Sequence, residues 1–239
     1  PTVATVGVDE CDWPGIKCSS NSNMTTDNSI MVEEIDFSHS FLTGRIVPEI
    51  HLLKNSLKVL DLAHNGLNGK IPERLYDLDI LEELYLYQND LTGTLSSKIG
   101  NWNNMTRLHL SHNRISGKIP EELKSPLSSR PLRANELTGT IPDGLRLRKL
   151  VYMDVGRNQL QGTLPEDLGE TFVELRMLHM DHNAFEGSIP WTYSSVGNGR
   201  LEELSLDHNQ LTGWVPDDHT IWNKMSEYSA MTTVGSECP

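Results

Sequence analysis

Leucine, isoleucine and polar residues alternate along this chain in a fixed pattern that is longer than a helical or strand period. The pattern LxxLxLxxNxLxGxIP is clearest in LHLSHNRISGKIP, which starts at Leu108, and in LSLDHNQLTGWVP, which starts at Leu204. Eight copies occur, spaced 22–26 residues apart, and the first copy has Ser40 where the others have Asn65, Asn89, Asn113, Asn135, Asn158, Asn183 and Asn209. Such self-similarity predicts a solenoid in which each copy forms one coil.

Each fixed position of the copy has a physical purpose. Leucines at period two predict a short strand with one face inward, and strands of successive copies then pair in parallel. The asparagine amide can satisfy backbone groups left unpaired between coils. The glycine permits a backbone angle that side chains resist, and the proline ends a second extended segment. The following residues, such as PERLYDL at Pro72, have helical spacing and are expected on the convex side.

Two motifs carry a resemblance to a known family. LTGTIP at Leu137 is similar to the repeat of plant-type extracellular leucine-rich repeat proteins, and CDWPGIKC, from Cys11 to Cys18, resembles the CxWxGxxC signature of their amino-terminal cap. The resemblance implies an α/β repeat fold: a right-handed leucine-rich repeat solenoid with a concave parallel β-sheet, convex short helices or 3-10 turns, and caps at both ends. It also implies a second, short sheet along one flank and a disulfide between Cys11 and Cys18.

Three parts of the chain follow from these motifs. We expect an amino-terminal cap with its disulfide over residues 1–31, eight repeats over 32–216, and a carboxy-terminal cap helix and tail over 217–239. The spacing of Ile221, Trp222, Met225 and Tyr228 predicts that cap helix. Cys238 stands alone, which indicates an intermolecular bond or a missing partner. The terminal sequence also resembles repeat proteins of algae and related protists that continue into a cysteine-rich tail, so we expect a truncated chain.

Composition narrows the compartment and the partner. The net charge of −13, from 33 acidic and 20 basic residues, opposes a nucleic-acid partner, which would require a basic face. No apolar run is long enough to span a membrane, and no signal peptide precedes the repeats. We therefore expect a processed chain that is secreted or resides in another exported, lumenal compartment. Glycosylation is predicted at the sequons of Asn23 and Asn104.

The stretch LHMDHN, with His179, Asp181 and His182, raises the question of a metal or catalytic site. The stretch is one copy of the repeat, and five of the nine histidines precede the asparagine, or Ser40, of their copies. This recurrence indicates that the histidines are solvent-facing residues of the repeat rather than a set of metal ligands. No nucleophile or paired-carboxylate pocket accompanies it. We therefore predict no metal, no cofactor and no catalytic residue.

The concave face remains as the candidate contact surface. Tyrosine and arginine are favoured at interfaces, so the contact centre is placed at Tyr85, Tyr87, His109 and Tyr152. Protonation of seven concave histidines would reverse the charge of this face, which predicts binding that depends on pH between about 5 and 7. The full set of predicted partner-binding residues is Asp61, Tyr85, Tyr87, His109, His112, Tyr152, Asp154, Arg157, His179, Asp181, His182, Asp207, His208 and Trp214.

The sequence therefore favours a non-catalytic module that recognises a protein or peptide partner through the concave face and flank, like a receptor ectodomain or an inhibitor. The alternative is a structural or accessory subunit docked in a larger multi-subunit assembly. One copy departs from the pattern, because it has Arg130 at an inward position and Pro131 within the strand. Either the sheet is broken there or the sequence is uncertain at that point.

Overall fold

The computed structural model describes residues 10–19, 31–123, 129–142, 149–213 and 227–229, and its architecture is a solenoid with two sheets. In the described residues the first sheet has ten strands, numbered in chain order with the rest: β1 Ile16–Cys18, β2 Val32–Asp36, β4 Val59–Asp61, β6 Glu83–Tyr85, β8 Arg107–His109, β10 Ser129–Pro131, β12 Tyr152–Asp154, β14 Met177–His179, β16 Glu203–Ser205 and β18 Glu227–Ser229. From β2 onward its strands are parallel and in register.

The second sheet runs along the flank, as the family resemblance implied. Within the described part of the chain it has eight strands: β3 Thr43–Arg45, β5 Gly66–Lys70, β7 Asp90–Thr94, β9 Arg114–Gly117, β11 Glu136–Gly139, β13 Gln159–Thr163, β15 Ala184–Gly187 and β17 Gln210–Leu211. The glycine of each copy adopts a positive φ, for example 77° at Gly117, where a Cβ would lie 2.8 Å from the side chain of Thr94 in the preceding coil. The repeated glycine thus permits both the backbone angle and the close approach of adjacent coils.

Short helical segments form the opposite, convex side. These are the 3-10 helices Pro48–Leu53, Glu73–Asp77, Ser97–Asn101 and Trp191–Asn198, and the single-turn helix α1 Leu168–Thr171, with a further 3-10 helix at Glu10–Asp12. Leucines from each strand pack inward against these segments, and larger side chains such as Trp102, Phe172 and Tyr193 fill the convex half of the core. The solenoid fold with its concave sheet and short convex helices is thus confirmed.

The asparagine of each copy holds two coils together. The carbonyl of Asn113 accepts a hydrogen bond from the amide of Leu91 at 3.0 Å, and its Nδ2 donates to the carbonyl oxygens of Leu86 in the preceding coil and Leu110 in its own. The same bonds recur at Asn89 and Asn135. Because these groups lie inside the coil, each asparagine satisfies backbone atoms that water does not reach.

The amino-terminal cap closes the first coil with a strand of opposite direction. Cys11 and Cys18 form the expected disulfide, with Cα atoms 5.8 Å apart. Strand β1 pairs antiparallel with β2, and a Cβ at Gly15 would lie 2.0 Å from the carbonyl oxygen of Asp36, which explains the glycine of the cap signature. Trp13, the tryptophan of the cap signature, is 52% exposed.

Two predictions about irregular segments can be compared with the structure. The strand containing Arg130 and Pro131 pairs with β12 over three residues and with β8 at Ser129, so the sheet continues through the irregular copy. At the other end, Tyr228 was placed in a cap helix but lies in β18, parallel to β16. The remaining residues of that predicted helix, together with Trp214 and Cys238, lie outside the described residues.

Candidate concave-face binding site

Three outward columns of side chains line the concave face. The first column lies between the two inward positions of each coil and includes Asp61, Tyr85, His109, Pro131, Asp154 and His179. The second column lies two residues later and includes Ala63, Tyr87, Ser111, Arg133, Gly156, Asp181 and Asp207. The third column is the next residue of each copy and includes His64, Gln88, His112, Ala134, Arg157, His182 and His208. Every third-column residue has a φ between 51° and 55°. The column of histidines therefore marks a left-handed turn, where β-branched side chains are disfavoured.

Aromatic rings stack across the first coils. The rings of His39 and His64 stack at 3.9 Å, His64 meets the edge of Tyr87 at 4.8 Å, and Tyr87 stacks on His109 at 4.0 Å. Spacings of this kind follow from parallel strands about 4.8 Å apart. The result is a continuous row of flat, half-exposed rings that ends in the middle of the solenoid.

The row of rings borders a depression with a volume of about 470 Å³. Its lining residues come from the middle coils and are His64, Tyr87, Gln88, His109, Ser111, His112, Ser129, Pro131, Arg133, Tyr152 and Asp154. Tyr87 and His109 form one wall, and Tyr152 and Arg133 face them from later coils. A concave space lined by aromatic rings with a few polar groups is the usual form of a recognition site.

An ionic network lies on the other side of this depression. Asp154 and Asp181 are only 3% and 5% exposed, whereas Asp61 and Asp207, which stand in the same columns of other copies, are partly exposed. Arg133 donates from Nη1 and Nη2 to the two oxygens of Asp181, at 2.8 and 2.9 Å, and Nη1 also lies 3.3 Å from Asp154. Such a bidentate pair fixes both the charge and the orientation of the guanidinium.

Gly156 makes this network possible. A Cβ at this position would lie 2.3 Å from Nη1 of Arg133 and 2.6 Å from Oδ1 of Asp181. Its backbone N–H donates to Asp154 at 3.0 Å, so the residue contributes a bond as well as space. The missing side chain therefore lets an arginine reach across one coil to the aspartate of the next.

The network sets the protonation of its members. Burial alone would raise the pKa of Asp154, but its interactions with His179, Tyr152 and the Gly156 amide lower that pKa. Burial would also raise the pKa of Asp181, and the bonds from Arg133 and His182 lower it. Interaction with Asp154 raises the pKa of His179, whose Nε2 lies 3.1 Å from Glu203. The carboxylates thus remain charged while histidine protonation is favoured.

His109 behaves differently. Burial beneath its neighbours lowers its pKa to about 4, with a further contribution from His112. The expectation that all seven concave histidines gain charge between pH 5 and 7 is therefore wrong for His109, because desolvation disfavours its charged form.

A second pair of stacked histidines lies at the carboxy-terminal end of the face. The rings of His182 and His208 are 4.0 Å apart and nearly parallel. Nδ1 of His182 lies 2.9 Å from Asp181, and Nδ1 of His208 lies 2.6 Å from Asp207. In the described residues, one ligand atom from each of His182, Asp207 and His208 lies within 4.8 Å of the others.

The predicted contact residues therefore divide into groups. Tyr87, His109, His112, Tyr152 and Asp154 line the depression, and His179, Asp181, His182, Asp207 and His208 extend from the network to the carboxy-terminal end. Three others lie outside the depression: Tyr85, which donates to Glu83, and Asp61 and Arg157. The sequence reading missed the roles of Gly156 and Arg133. The only signal was that a glycine stands between an arginine and an aspartate in one column.

No helix of the described residues is long and apolar enough to cross a membrane. Residues 56–78, 81–102, 104–126 and 200–220 match the family model described as Leucine Rich Repeat. Receptor-like protein 53 of Arabidopsis thaliana is 32% identical over an alignment that covers 92% of this chain and 27% of that protein. The chain spans roughly a quarter of the length of the curated relatives it matches.

Solved structures of similar proteins show the same architecture. The Arabidopsis receptor kinase HAESA, in complex with the peptide hormone IDA and the co-receptor SERK1, is 31% identical with a TM-score of 0.71, over 77% of this chain and 30% of that one. A plant ice-binding protein is 26% identical with a TM-score of 0.70, over 91% of this chain and 74% of that one. The repeat, the paired sheets and these matches together show that this chain has the leucine-rich repeat fold and is similar to plant receptor-like proteins.

Proposed function

We propose that this chain is an extracellular, non-catalytic module that binds a peptide or a segment of a partner protein in the depression of its concave face. The observation that carries this proposal is the arrangement of Tyr87 and His109 opposite Tyr152 and Arg133 around a volume of about 470 Å³. Tyrosine rings supply large contact areas at low cost in conformational entropy. The HAESA structure, with a peptide hormone bound to a related solenoid, supports the same mode of recognition.

The ionic network contributes rigidity and selectivity to this site. Arg133 is held by Asp154 and Asp181 before any ligand arrives, so no entropy is lost in ordering it. Both carboxylates are already engaged, which leaves ring faces, the hydroxyl of Tyr87 and the amide of Gln88 for the ligand. A neutral peptide segment with apolar or aromatic side chains fits these groups better than a strongly charged one.

The test is selection of binders from a random peptide display library on the immobilised chain, followed by titration of the recovered peptides. We expect the double variant Tyr87→Ala, His109→Ala to weaken binding at least tenfold. The matched control is Lys54→Ala, Arg74→Ala, which alters a convex depression of similar size. Recovered peptides that bind both variants equally well would contradict the proposal.

A structural subunit remains the alternative, because Cys238 could link the chain to an assembly. Pull-down from the native source with and without reductant separates the two. Release of the partner by reductant or by Cys238→Ser, together with indifference to Tyr87→Ala, would favour the assembly.

The ice-binding relative favours a second candidate, because this chain covers 74% of it. Recognition of an ordered surface would require a regular array. Among the exposed rows of the second sheet, the residues that follow its glycines are Arg45, Lys70, Thr94, Lys118, Thr140, Thr163 and Ser188. This row mixes long cationic and short hydroxyl side chains, so its surface is uneven. We expect no effect of the chain on ice growth, and a measured effect that Thr140→Lys abolishes would favour this candidate instead.

A further inference from the structure

The two pairs of stacked histidines on the concave face differ in one respect that bears on metal binding. The rings of His39 and His64 and those of His182 and His208 stack at nearly equal distances, 3.9 and 4.0 Å. The residues that precede His39 and His64 are Ser38 and Ala63, whereas those that precede His182 and His208 are aspartates. Of these two pairs, only the second has, on each ring, a carboxylate from the residue that precedes the histidine.

Those aspartates hold the two rings in place. Asp181 accepts from His182 at 2.9 Å and is itself fixed by the bidentate pair with Arg133, so His182 is anchored to the ionic network. Asp207 contacts Nδ1 of His208 at 2.6 Å, and in the described part of the chain no hydrogen bond to its Oδ1 is found. A carboxylate that accepts a hydrogen bond from Nδ1 of a histidine fixes the ring and raises the basicity of Nε2, which is the role of Asp181 toward His182.

We propose that His182, His208 and Asp207 bind one divalent transition-metal ion of the zinc type. Their ligand atoms lie within 4.8 Å of one another. Tetrahedral zinc ligands lie about 3.3 Å apart, so small rotations of the side chains bring the three atoms together. His208 has room for such a rotation, because its side chain is 59% exposed.

The ligand set determines which cations fit. Two imidazoles with one carboxylate match zinc, nickel or copper rather than calcium or magnesium, which prefer sets made of oxygen alone. Three protein ligands leave at least one coordination position open on the solvent side, so a partner could supply the fourth. This inference is independent of the proposed peptide site, which lies in the middle coils. It reverses the expectation, drawn from the sequence, that the chain has no metal site.

Isothermal titration of the intact chain with zinc chloride alone tests the proposal, in a Cys238→Ser background so that the thiol cannot bind zinc. We expect one zinc ion per chain. His182→Ala or His208→Ala should each weaken binding at least tenfold, and Asp207→Asn should do the same while keeping the size of the side chain. The matched control is His39→Ala, His64→Ala, which should leave binding unchanged.

Ring-proton NMR and circular dichroism accompany the titration. Zinc should shift the ring resonances of His182 and His208, while those of His39 and His64 remain in place. Circular dichroism of each variant shows whether the solenoid is intact. The proposal is overturned if the parent chain binds no zinc, if the control variant loses as much affinity as the others, or if well-folded His182→Ala and His208→Ala variants bind zinc normally.

Discussion

The first four coils and the last four coils fill the same outward columns with different side chains. In the first coils, the rings of His39, His64, Tyr87 and His109 form a continuous row of stacked and edge-to-face contacts. In the last coils, Arg133 joins two buried aspartates. The inward leucines and the asparagine ladder are the same in both halves. The comparison shows that the repeat determines where side chains stand, while the variable columns determine what each half can bind and how it responds to pH.

The largest expected effect comes from removing the cation of the ionic half. Arg133→Met leaves Asp154 and Asp181 buried without their counter-ion and should lower the free energy of unfolding by about 3 kcal/mol, the lower end for a broken buried pair, since Arg133 is partly exposed. Urea denaturation at pH 7 measures this. Arg107→Met, which breaks the exposed pair with Glu83, is the control and should change stability little. Equal losses of unfolding free energy in the two variants would show that the buried network stabilises the fold no more than the exposed pair does.

Replacement of a ladder asparagine should lower the free energy of unfolding by the same amount in both halves. Asn113→Ala and Asn183→Ala each leave backbone groups of two coils unpaired, and each should lower stability by about 2 kcal/mol. Thermal unfolding of the two variants measures the difference between them. A large difference in stability between the two variants would mean that the ladder asparagines are not equivalent in the two halves.

Acid should affect Asp61 of the first half and Asp154 of the last half in opposite directions. Because the pKa of Asp154 is lowered in the fold, its stabilisation is present above its unfolded pKa and is lost as pH falls through the folded value. Burial raises the pKa of Asp61, so charged Asp61 destabilises the fold at neutral pH. Asp154→Asn should therefore destabilise the fold more at pH 7 than at pH 3, whereas Asp61→Asn should stabilise it slightly at pH 7. Denaturation series at the two pH values would contradict this if both variants shifted in the same direction.

The smallest effect is spectroscopic. His109 should titrate near pH 4 in ring-proton NMR, because burial lowers its pKa. Tyr87→Ser removes the ring stacked on His109 and should move that pKa toward its ordinary value. An unchanged His109 titration in the variant would mean that other groups desolvate the ring.

The positions of the inward leucines, ladder asparagines and glycines could be predicted well from the sequence, because they recur in successive copies. Leu84, Asn89 and Gly93 each have counterparts in the other copies, so their inward position, ladder bonds and backbone angle could be inferred from the pattern alone. The binding surface could be predicted only in outline, since its residues are those that vary. Arg133 and Asp181 are 48 positions apart, and only the register of coils on either side of Gly156 reveals that they meet. Likewise, nothing in the sequence shows that the histidine column has a positive φ.

The reversed direction of strand β1 has a consequence for assembly. An open parallel solenoid end is a template on which a second molecule could add its own first coil, and repetition of that contact would build a fibre. Strand β1 runs against this template, its register shifts between Lys17 and Cys18, and the disulfide secures its end. Strand polarity therefore opposes parallel addition of a second solenoid at this end, and the Cys11–Cys18 bond helps to hold the opposing strand in place.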